Sequence, residues 1–269
     1  MSDMQARIKQ ENPFKHWLGQ KRLTLGFWNA LANPLLAEIV AEYPGFEWML
    51  FDTEHAPNDI QSLIAQLQAI RFSGKPAVGR PVHNHPADIK RLLDIGFRNL
   101  LIPNVQSVEE AQQAVAATRY PPEGFRGVSA YHRNNSYGRV SDYFQFINQS
   151  IGVVAQVESK QAVKQLEQIA SVQGIDALFV GPGDLAANLG FIGQIRHPEV
   201  QAVLQDVGER AKALGIALGI TAHGIDDVAR YTQWGYRFFT MSSDVVLFRQ
   251  AVVQLSDTAL DFAAKWEKN

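Results

Sequence analysis

The chain has 269 residues, 46% of them hydrophobic, and a formal net charge of −2. This length and apolar content suffice for one large core, whereas the charge offers no broad basic surface for nucleic acid or anionic lipid. Because there is no cysteine, disulfides, thiolate metal sites, iron–sulfur clusters and a cysteine nucleophile are excluded. Any bound metal ion must be held by carboxylate, imidazole, carbonyl or water ligands.

The first 18 residues carry charges throughout and lack the apolar centre of a secretory signal. No apolar run is long enough to span a bilayer. We therefore expect a cytoplasmic protein that binds neither membranes nor nucleic acid.

Short apolar runs alternate with amphipathic stretches along the whole chain. The apolar runs lie at residues 24–30, 48–55, 76–82, 99–105, 152–158, 177–184, 217–223 and 238–244. The helical stretches between them lie at 34–43, 60–71, 86–96, 108–118, 160–170, 198–215 and 226–235. Near-continuous apolar runs of this length indicate strands buried on both faces, as in a parallel sheet.

Several of the helical stretches end in glycine, which supplies the left-handed conformation that stops a helix. These glycines are Gly74, Gly96, Gly174, Gly215 and Gly235. Eight β/α units in a row predict an α/β fold, a (β/α)8 TIM barrel, as one domain over residues 1–269. A doubly wound open sheet is the structural alternative.

Two segments are longer than a regular alternation of strands and helices requires. Residues 119–151 separate the fourth helix from the fifth strand, and a structured loop of this length is usually functional. The last helix, predicted from residue 245 to the end of the chain, is longer than one strand requires. We expect this extended C-terminal helix to pack on a neighbouring subunit, which predicts a homo-oligomer.

Catalytic residues of a barrel come from the C-terminal ends of its strands. Glu158 and Asp184 follow adjacent strands, and two carboxylates with substrate oxygens and water suit Mg²⁺ or Mn²⁺. Ordinary solvated loop acids or helix N-caps are the alternative. Trp28 lies near the end of the first strand and is a candidate substrate contact, and the fifth strand delivers Gln156 together with Glu158 to the same rim.

Three further rim residues are candidates for catalysis. Arg80 could hold a carboxylate or a developing enolate, or else form a salt bridge to a neighbouring acid. Asp52 and His55 lie three residues apart, a spacing that permits an Asp–His hydrogen bond and an oriented acid–base imidazole. A lone structural histidine is the alternative.

The sequence around the sixth strand suggests a carboxylate cradle. Gly181, Pro182 and Gly183 let the backbone approach a ligand closely, so the amides of Gly183 and Asp184 could bind a carboxylate. A Schiff-base mechanism needs a lysine aimed into the barrel, and none lies inside a predicted strand. A metal ion is therefore favoured as the electron sink.

Five segments carry a resemblance to a known family. They are FDTEHAPND (51–59), VGRPVHNHPADIKRLLDIG (78–96), TRYPPEGFRGVS (118–129), AQVES (155–159) and VGPGDLAANLGFIG (180–193). Together they resemble the HpcH/HpaI class II pyruvate aldolases over nearly the whole chain, with similarity to the 4-hydroxy-2-oxoheptanedioate and 2-dehydro-3-deoxy sugar-acid aldolases.

The resemblance implies a barrel of the phosphoenolpyruvate/pyruvate type, a divalent metal cofactor (Mg, Mn or Co) and a hexamer. It also implies reversible cleavage of 4-hydroxy-2-oxo acids to an aldehyde and pyruvate, or a close 2-oxo acid such as hydroxypyruvate. Glu158 and Asp184 match the metal ligands, and Arg80 matches the arginine on the pyruvate oxygen. His55 matches the base-orienting histidine, with Asp52 as its partner.

The resemblance further places Gln156 beside the metal and the pyruvate, and the amides of Gly183 and Asp184 on the pyruvate carboxylate. Three positions depart from the family pattern: Thr53, where relatives often have glycine, Gly183, where they often have alanine or serine, and Thr221, where they carry a larger apolar residue. These departures leave the pyruvate half intact and bear on the aldehyde half. Thr221 therefore predicts a roomier and more polar aldehyde pocket.

The predicted partners are thus a small 2-oxo acid and an aldehyde. A related metal-enolate lyase or an oxaloacetate decarboxylase on the same barrel is the nearest alternative. A phosphosugar isomerase would need a glycine-rich phosphate site after the last two strands, which the segments ITAHGID and MSSDVV do not supply. A non-catalytic binding barrel would not need the rim residues.

Overall fold

The computed structural model describes residue 8 and residues 11–266. Eight parallel strands close into a barrel in chain order, with β1 paired to β8. This closure confirms the predicted (β/α)8 barrel and rules out the open sheet. The strands are β1 Thr24–Asn29, β2 Trp48–Asp52, β3 Ala77–Arg80, β4 Asn99–Ile102, β5 Gly152–Val157, β6 Ala177–Val180, β7 Ala217–Thr221 and β8 Phe238–Ser243.

Helices surround the barrel. They are α1 Pro13–Gln20, α2 Pro34–Glu42, α3 Ile60–Ala69, α4 Pro86–Asp94, α5 Val108–Thr118, α6 Tyr143–Ser150, α7 Lys160–Lys164, α8 Leu166–Ala170, α9 Pro182–Leu189, α10 Pro198–Leu214, α11 Ile225–Trp234 and α12 Asp244–Trp266. Short 3-10 turns occupy Ile70–Phe72 and Arg133–Asn135. All five glycines predicted to end helices have positive φ. Gly215 and Gly235 are the C-caps of α10 and α11, and Gly96 directly follows the C-cap of α4, which confirms those three as stops. Gly74 and Gly174 instead lie in turns that follow helices already ended.

The interior of the barrel is filled by side chains, and α1 closes one end of it. Phe14 of α1 is buried, with its ring centroid 5.1 Å from that of Trp48 and 6.0 Å from that of Phe238. The apolar periodicity predicts no helix before residue 34, so α1 is an addition to the predicted elements. Asn12 followed by Pro13 is nevertheless a helix-start signal, since the Asn12 side chain accepts from the Lys15 amide at 3.4 Å.

The long segment 119–151 contacts the N-terminal end of the sheet, opposite the strand ends predicted to carry the chemistry. Arg126 Nη2 donates to Asp94 Oδ1 at 2.7 Å, and Arg133 Nη1 donates to the carbonyl oxygen of Ile95 at 2.7 Å. Both acceptors lie just before β4. Connections from a helix to the next strand lie at this end of a barrel, so the position follows from the topology.

The C-terminal helix α12 starts at Asp244, one residue before its predicted start, and residues 267–269 lie outside the described chain. Its apolar side chains are exposed, with Leu255 at 72% and Trp266 at 73%. Such a surface on a 23-residue helix is available for packing against another molecule. None of the described helices has both the length and the apolar character to cross a bilayer.

Close packing inside the barrel makes a stability prediction for Gly26 of β1. A Cβ atom at this position would lie 2.3 Å from Trp48 Cε2, in a buried ring held by its neighbours. We expect Gly26→Ala to lower the free energy of unfolding by about 1–3 kcal/mol, the cost of overpacking. Denaturant unfolding would measure it.

Gly45→Ala is the matched control, because a Cβ atom there meets nothing within 4 Å. We expect its unfolding free energy to stay within about 0.5 kcal/mol of the wild type. Equal stability of the two variants would show that the barrel interior tolerates an added methyl group at Gly26.

Candidate active site

Polar side chains gather at the C-terminal ends of the strands, as predicted. β2 ends at Asp52, β3 at Arg80, and Gln156 lies near the end of β5. The register pairs Asp52 with Arg80 across neighbouring strands. Parallel pairing therefore brings an acid and an arginine together at one rim, where both are buried.

Arg80 is held by two carboxylates. Its Nε and Nη2 atoms donate to the two carboxylate oxygens of Asp52 at 2.8 and 2.7 Å, a bidentate pair. Its Nη1 atom lies 2.8 Å from Glu54 Oε2, an ion-pair contact that lacks hydrogen-bond geometry. A guanidinium group has five N–H donors, so Nη1 and Nη2 retain donors for a substrate oxygen.

Trp28 completes this arrangement at the end of β1. Its indole Nε1 donates to Asp52 Oδ2 at 3.3 Å, and the Arg80 guanidinium carbon lies 4.5 Å from the centroid of its ring. Burial would raise the pKa of Asp52, but the hydrogen bonds and charge of Arg80 outweigh it and hold that pKa below its ordinary value. Asp52 is therefore ionised at neutral pH.

The predicted hydrogen bond between Asp52 and His55 is not formed, which corrects that expectation. Asp52 is occupied by Arg80, Trp28 and the Glu54 amide, whose nitrogen lies 2.9 Å from Asp52 Oδ1. His55 is 65% exposed in its side chain, with Nε2 3.9 Å from Glu54 Oε1. The planar guanidinium matches the Asp52 carboxylate better than an imidazole that has turned away from the strand.

Glu158 lies just past the end of β5 and is buried. Its Oε1 accepts from the Asn104 amide at 2.8 Å, and its Oε2 accepts from Gln156 Nε2 at 2.5 Å. Burial, together with the negative charges of Asp184 and Glu54, raises the pKa of Glu158 to about 7, although the hydrogen bonds from Asn104 and Gln156 oppose the shift. The carboxylates of Glu54, Glu158 and Asp184 therefore lie close enough together for the charge of one to disfavour ionisation of another.

Asp184 does not end a strand, because β6 stops at Val180 and the chain enters α9 at Pro182. The predicted strand 177–184 was too long, since glycine and proline end the strand and proline starts the helix. Asp184 lies in the first turn of α9, and Gly181 caps the helix without a side-chain hydrogen bond. The amides of Gly183 and Asp184 thus lie at a helix N-terminus, where backbone donors bind anions.

The two glycines of this turn have different reasons to be glycine. A Cβ atom at Gly181 would lie 2.3 Å from Glu158 Oε2 and 2.8 Å from Gln156 Nε2, so any side chain would displace the carboxylate. A Cβ atom at Gly183 meets nothing within 4 Å. The sequence predicts that Gly181 lets the backbone approach a ligand closely, whereas the structure shows that the space beside Gly181 is taken by the Glu158 and Gln156 side chains.

The donor set fits a hard divalent cation. No group of three or more His, Asp or Glu side chains within the described residues is arranged to hold a metal ion on its own. Glu158 and Asp184 nevertheless form a carboxylate pair, and the buried Gln156 Oε1 accepts no hydrogen bond from any described residue. Mg²⁺ sites in proteins typically combine one or two carboxylates with water molecules and substrate oxygens.

Two further rim residues have local roles. Thr221 at the end of β7 is half-buried, and its Oγ1 accepts from Thr240 Oγ1 at 3.0 Å. Its own hydroxyl proton remains available to a ligand. Asp244 accepts from the amides of Ala30 and Leu31 at 2.9 Å each, which fixes the loop after β1.

Glu54 and Asn104 are the residues to which the sequence assigned no function. Glu54 contacts Arg80, and burial raises its pKa despite the opposing charge of that arginine. It also carries charge coupling to Asp184 and thus links the two parts of the site. Asn104 adopts a left-handed φ of 50°, which directs its amide at Glu158. Asparagine tolerates a left-handed φ better than most residues, so an asparagine directly after Pro103 is a sequence pattern that can indicate this turn.

The sequence of the chain is similar to those of known proteins. The family model described as HpcH/HpaI aldolase/citrate lyase matches residues 24–251. The chain is 49% identical over 247 residues to a 5-keto-4-deoxy-D-glucarate aldolase of Shigella sonnei (strain Ss046), covering 92% of this chain and 96% of that protein.

Solved structures are similar as well. An HpcH/HpaI aldolase/citrate lyase family protein from Burkholderia cenocepacia J2315 has a TM-score of 0.87 and 38% identity, covering 92% of this chain and 99% of that one. An HpcH/HpaI aldolase from Desulfitobacterium hafniense DCB-2 has a TM-score of 0.82 and 29% identity, covering 91% and 95%.

The environment of Glu158 predicts a pH dependence of the metal-free protein. A folded-state pKa raised to about 7 from an ordinary 4.5 favours folding at low pH. That contribution is complete below pH ~4.5 and is lost as the pH rises through about 7. We expect Glu158→Gln to flatten this part of the stability–pH curve in EDTA, measured by denaturant unfolding.

Glu167→Gln is a suitable control, because Glu167 is an acid of α8 that pairs with Arg210 on the outer surface. Its variant should retain the loss of stability between pH ~4.5 and ~7 that Glu158 contributes. If the curves of wild type and Glu158→Gln stayed parallel over that range, Glu158 would not hold the shifted proton.

Proposed function

The chain belongs to the HpcH/HpaI aldolase/citrate lyase family, and we propose that it cleaves 4-hydroxy-2-oxo sugar diacids to pyruvate and a small hydroxylated aldehyde. Aldol cleavage, a carbon–carbon lyase activity, is shown by the family and by the aldolase relative at 49% identity. The observation that carries the proposal is the position of Glu54, which lies between Arg80 on one side and the carboxylates of Glu158 and Asp184 on the other. This residue contacts Arg80, and its negative charge disfavours ionisation of Glu158, as that of Asp184 does for Glu54.

A Mg²⁺, Mn²⁺ or Co²⁺ ion held by Glu158 and Asp184 would supply a Lewis acid for the 2-oxo group of the substrate. The remaining groups of the site belong to the chain. The amides of Gly183 and Asp184 bind the substrate carboxylate at the N-terminus of α9. Gln156 lies against Glu158 and orients it.

Arg80 stabilises the charge that develops during cleavage. Its spare donors on Nη1 and Nη2 point to an oxygen of the pyruvate unit, and Asp52 fixes the guanidinium plane. His55 is exposed enough to act through a water molecule that removes the C4 hydroxyl proton. The C3–C4 bond then breaks, the aldehyde leaves, and the resulting pyruvate enolate takes up a proton at C3.

Substrate class follows from the aldolase relative and the acceptor side of the rim. Cleavage of a six-carbon 4-hydroxy-2-oxo diacid yields pyruvate and a three-carbon aldehyde with a hydroxyl and a carboxylate. Thr221 retains a hydroxyl proton for such an aldehyde, and Trp28 bounds the site on the side of β1. The alternatives, a related metal-enolate lyase or an oxaloacetate decarboxylase, share the pyruvate half but have no use for this hydroxyl.

We also propose that the enzyme is a homo-oligomer, a hexamer by its family resemblance. Helix α12 extends from the barrel with exposed apolar side chains, including Phe248 at 64% and Phe262 at 67%. Continuous exposed apolar surface of this kind is typical of an interface. A second copy of the chain is the partner that would cover it.

The first experiment tests the reaction and its metal requirement. We expect release of pyruvate from 5-keto-4-deoxy-D-glucarate, loss of activity in EDTA, and recovery on addition of Mg²⁺, Mn²⁺ or Co²⁺, followed with a lactate dehydrogenase assay. Oxaloacetate serves as the comparison substrate. Full activity in EDTA, or trapping of pyruvate on the protein by borohydride, would contradict the metal-dependent mechanism. Faster turnover of oxaloacetate than of every hydroxy-oxo acid would favour the decarboxylase.

The second experiment tests whether catalysis needs the bidentate hydrogen-bonding geometry of the Arg80 guanidinium group. Lysine keeps the charge but loses the bidentate geometry. We expect Arg80→Lys to lower kcat by about two to four orders of magnitude, on the scale of losing an oxyanion donor. Pyruvate methyl-proton exchange should slow in parallel, measured by NMR.

Arg91→Lys is the matched control, because Arg91 is an exposed arginine of α4. Its kcat should equal that of the wild type. A loss of only two- or threefold in a folded Arg80→Lys protein would assign Arg80 a structural role.

The third experiment concerns the acceptor pocket. Thr221→Val removes the hydroxyl at nearly constant shape, and Thr221→Leu also fills space. We expect both to reduce the preference for glyceraldehyde over propanal in aldol addition with pyruvate, measured as the ratio of kcat/KM values. An unmatched hydrogen-bonding group discriminates more strongly than size, which is worth about 1–3 kcal/mol. Unchanged ratios would move acceptor selection to other residues.

A further inference from the structure

Two arginines and one buried aspartate form a cluster beyond the end of β7, next to the acceptor half of the active site. Asp227, in the first turn of α11, is 2% exposed. Its Oδ2 accepts from the His223 amide at 3.0 Å, and His223 follows Thr221, the last residue of β7, by two positions. The cluster is therefore tied to this strand end, and the aldolase mechanism does not use it.

Asp227 binds two guanidinium groups at once. Arg196 donates from Nη1 to Oδ1 at 2.6 Å and from Nη2 to Oδ2 at 2.9 Å, and Arg230 donates from Nη2 to Oδ1 at 2.5 Å. With the His223 amide, these bonds use the roughly four acceptor positions of a carboxylate. Among the described residues, no second acid forms an ion pair with either arginine. One positive charge therefore remains uncompensated within the cluster.

The two arginines differ in their surroundings, and Arg196 is the one that faces outward. The guanidinium carbon of Arg230 lies 5.0 Å from the ring centroid of Tyr231 and 5.8 Å from that of Trp234, and its Nε atom is buried. The Arg196 side chain is 53% exposed, although Asp227 holds its guanidinium plane. Its remaining N–H donors meet no acceptor within the described chain. A fixed guanidinium with spare donors is suited to binding a carboxylate of a ligand.

Arg196 also lies at the catalytic end of the barrel. Helix α10 leads into the start of β7, so the segment 190–197 before it lies at the C-terminal ends of the strands. Two residues of extended chain span at most about 7 Å, and the two hydrogen bonds through Asp227 add 3.0 and 2.9 Å. Arg196 Nη2 is therefore within about 13 Å of the Thr221 Cα atom even if these steps were collinear.

A carboxylate on the acceptor aldehyde calls for a cation at this rim. Arg80 is already engaged by Asp52 and assigned to the pyruvate unit. Arg196 is the one arginine or lysine in the connecting segments at this end of the barrel, all of which belong to the described chain. These segments are 30–33, 53–59, 81–85, 103–107, 158–159, 181, 190–197 and 222–224. Lys160 lies just beyond them, as the first residue of α7.

We propose that Arg196 binds the terminal carboxylate of the acceptor half, in the diacid substrate and in the aldehyde released from it, and so selects sugar diacids over monoacids. This inference rests on the proposed aldolase function. Asp227 is a positioning residue, because it holds the guanidinium plane of Arg196 and has no acceptor capacity left for substrate.

The test compares two acceptor aldehydes that differ only in their terminal group. 2-Hydroxy-3-oxopropanoate has a carboxylate where glyceraldehyde has a hydroxymethyl group. We measure kcat/KM for aldol addition of each to pyruvate, with the divalent metal ion present. We expect the wild type to prefer the carboxylate aldehyde, and Arg196→Gln to lower its kcat/KM for that aldehyde roughly ten- to a hundredfold, chiefly through KM. The kcat/KM for glyceraldehyde should stay close to that of the wild type.

Lys160→Gln is the matched control, because Lys160 is an exposed cation at the same end of the barrel. It should keep the wild-type ratio of the two kcat/KM values. Arg196→Lys keeps the charge but loses the planar fork, so its ratio should lie between those of the wild type and Arg196→Gln. In the wild type, added sodium chloride should raise KM for the carboxylate aldehyde more than KM for glyceraldehyde, since salt screens an exposed cation.

An equal loss for both aldehydes in Arg196→Gln would overturn the inference, because Arg196 would then only anchor the segment 190–197. An unchanged ratio in Arg196→Gln, or a loss of preference in Lys160→Gln alone, would overturn it as well while leaving the aldolase function in place. Failure of the wild type to add either aldehyde to pyruvate would instead contradict the proposed function, and this inference with it.

Discussion

The buried ion pair between Arg80 and Asp52 is the interaction on which the catalytic rim depends. It joins β2 to β3 where the register already places the two residues side by side, with both hydrogen bonds under 3 Å. Removing one partner would leave an uncompensated buried charge, at a cost of about 3–5 kcal/mol. Because Asp52 accepts hydrogen bonds from Nε and Nη2 of Arg80, the guanidinium plane is fixed before substrate binds. Glu54 and the Trp28 ring also contact this guanidinium group.

Asp52 and Glu158 are two buried carboxylates of the rim whose surroundings give them different pKa values. Asp52 and Glu158 are both nearly inaccessible to solvent, but their partners differ. Arg80 lowers the pKa of Asp52, whereas Glu158 has neutral donors and two acidic neighbours, which leave its pKa near 7. Of these two carboxylates, Glu158 is the one that lacks a compensating positive charge. A divalent cation is the group that would supply it, and this is the physical reason to place the metal there and not at Asp52.

The sequence predicted the barrel and most of its rim because strand and helix periodicity is local information. The eight runs, the positive-φ glycines after the helices and the placement of Asp52, Arg80 and Gln156 near the C-terminal ends of strands needed no tertiary contact. Pairing within the rim did need such contacts. Spacing alone favoured a bond from Asp52 to His55, whereas strand register delivered Arg80 to the same carboxylate. Glu54 stayed without a role for the same reason, since its neighbours come from β3 and from the α9 turn.

The two halves of the active site differ in how far the sequence can vary. On the pyruvate side, Gly181 is fixed by contact with Glu158 and Gln156, and Arg80 by its two acids, so a substitution there disturbs several groups at once. Gly183 has open space around its Cα, and Thr221 touches the rim through one hydroxyl contact. Change at these two positions leaves the charged groups in place. Differences in acceptor aldehyde between members of the family can therefore arise at Thr221, whereas a side chain at Gly183 would leave the proposed carboxylate-binding amide in place.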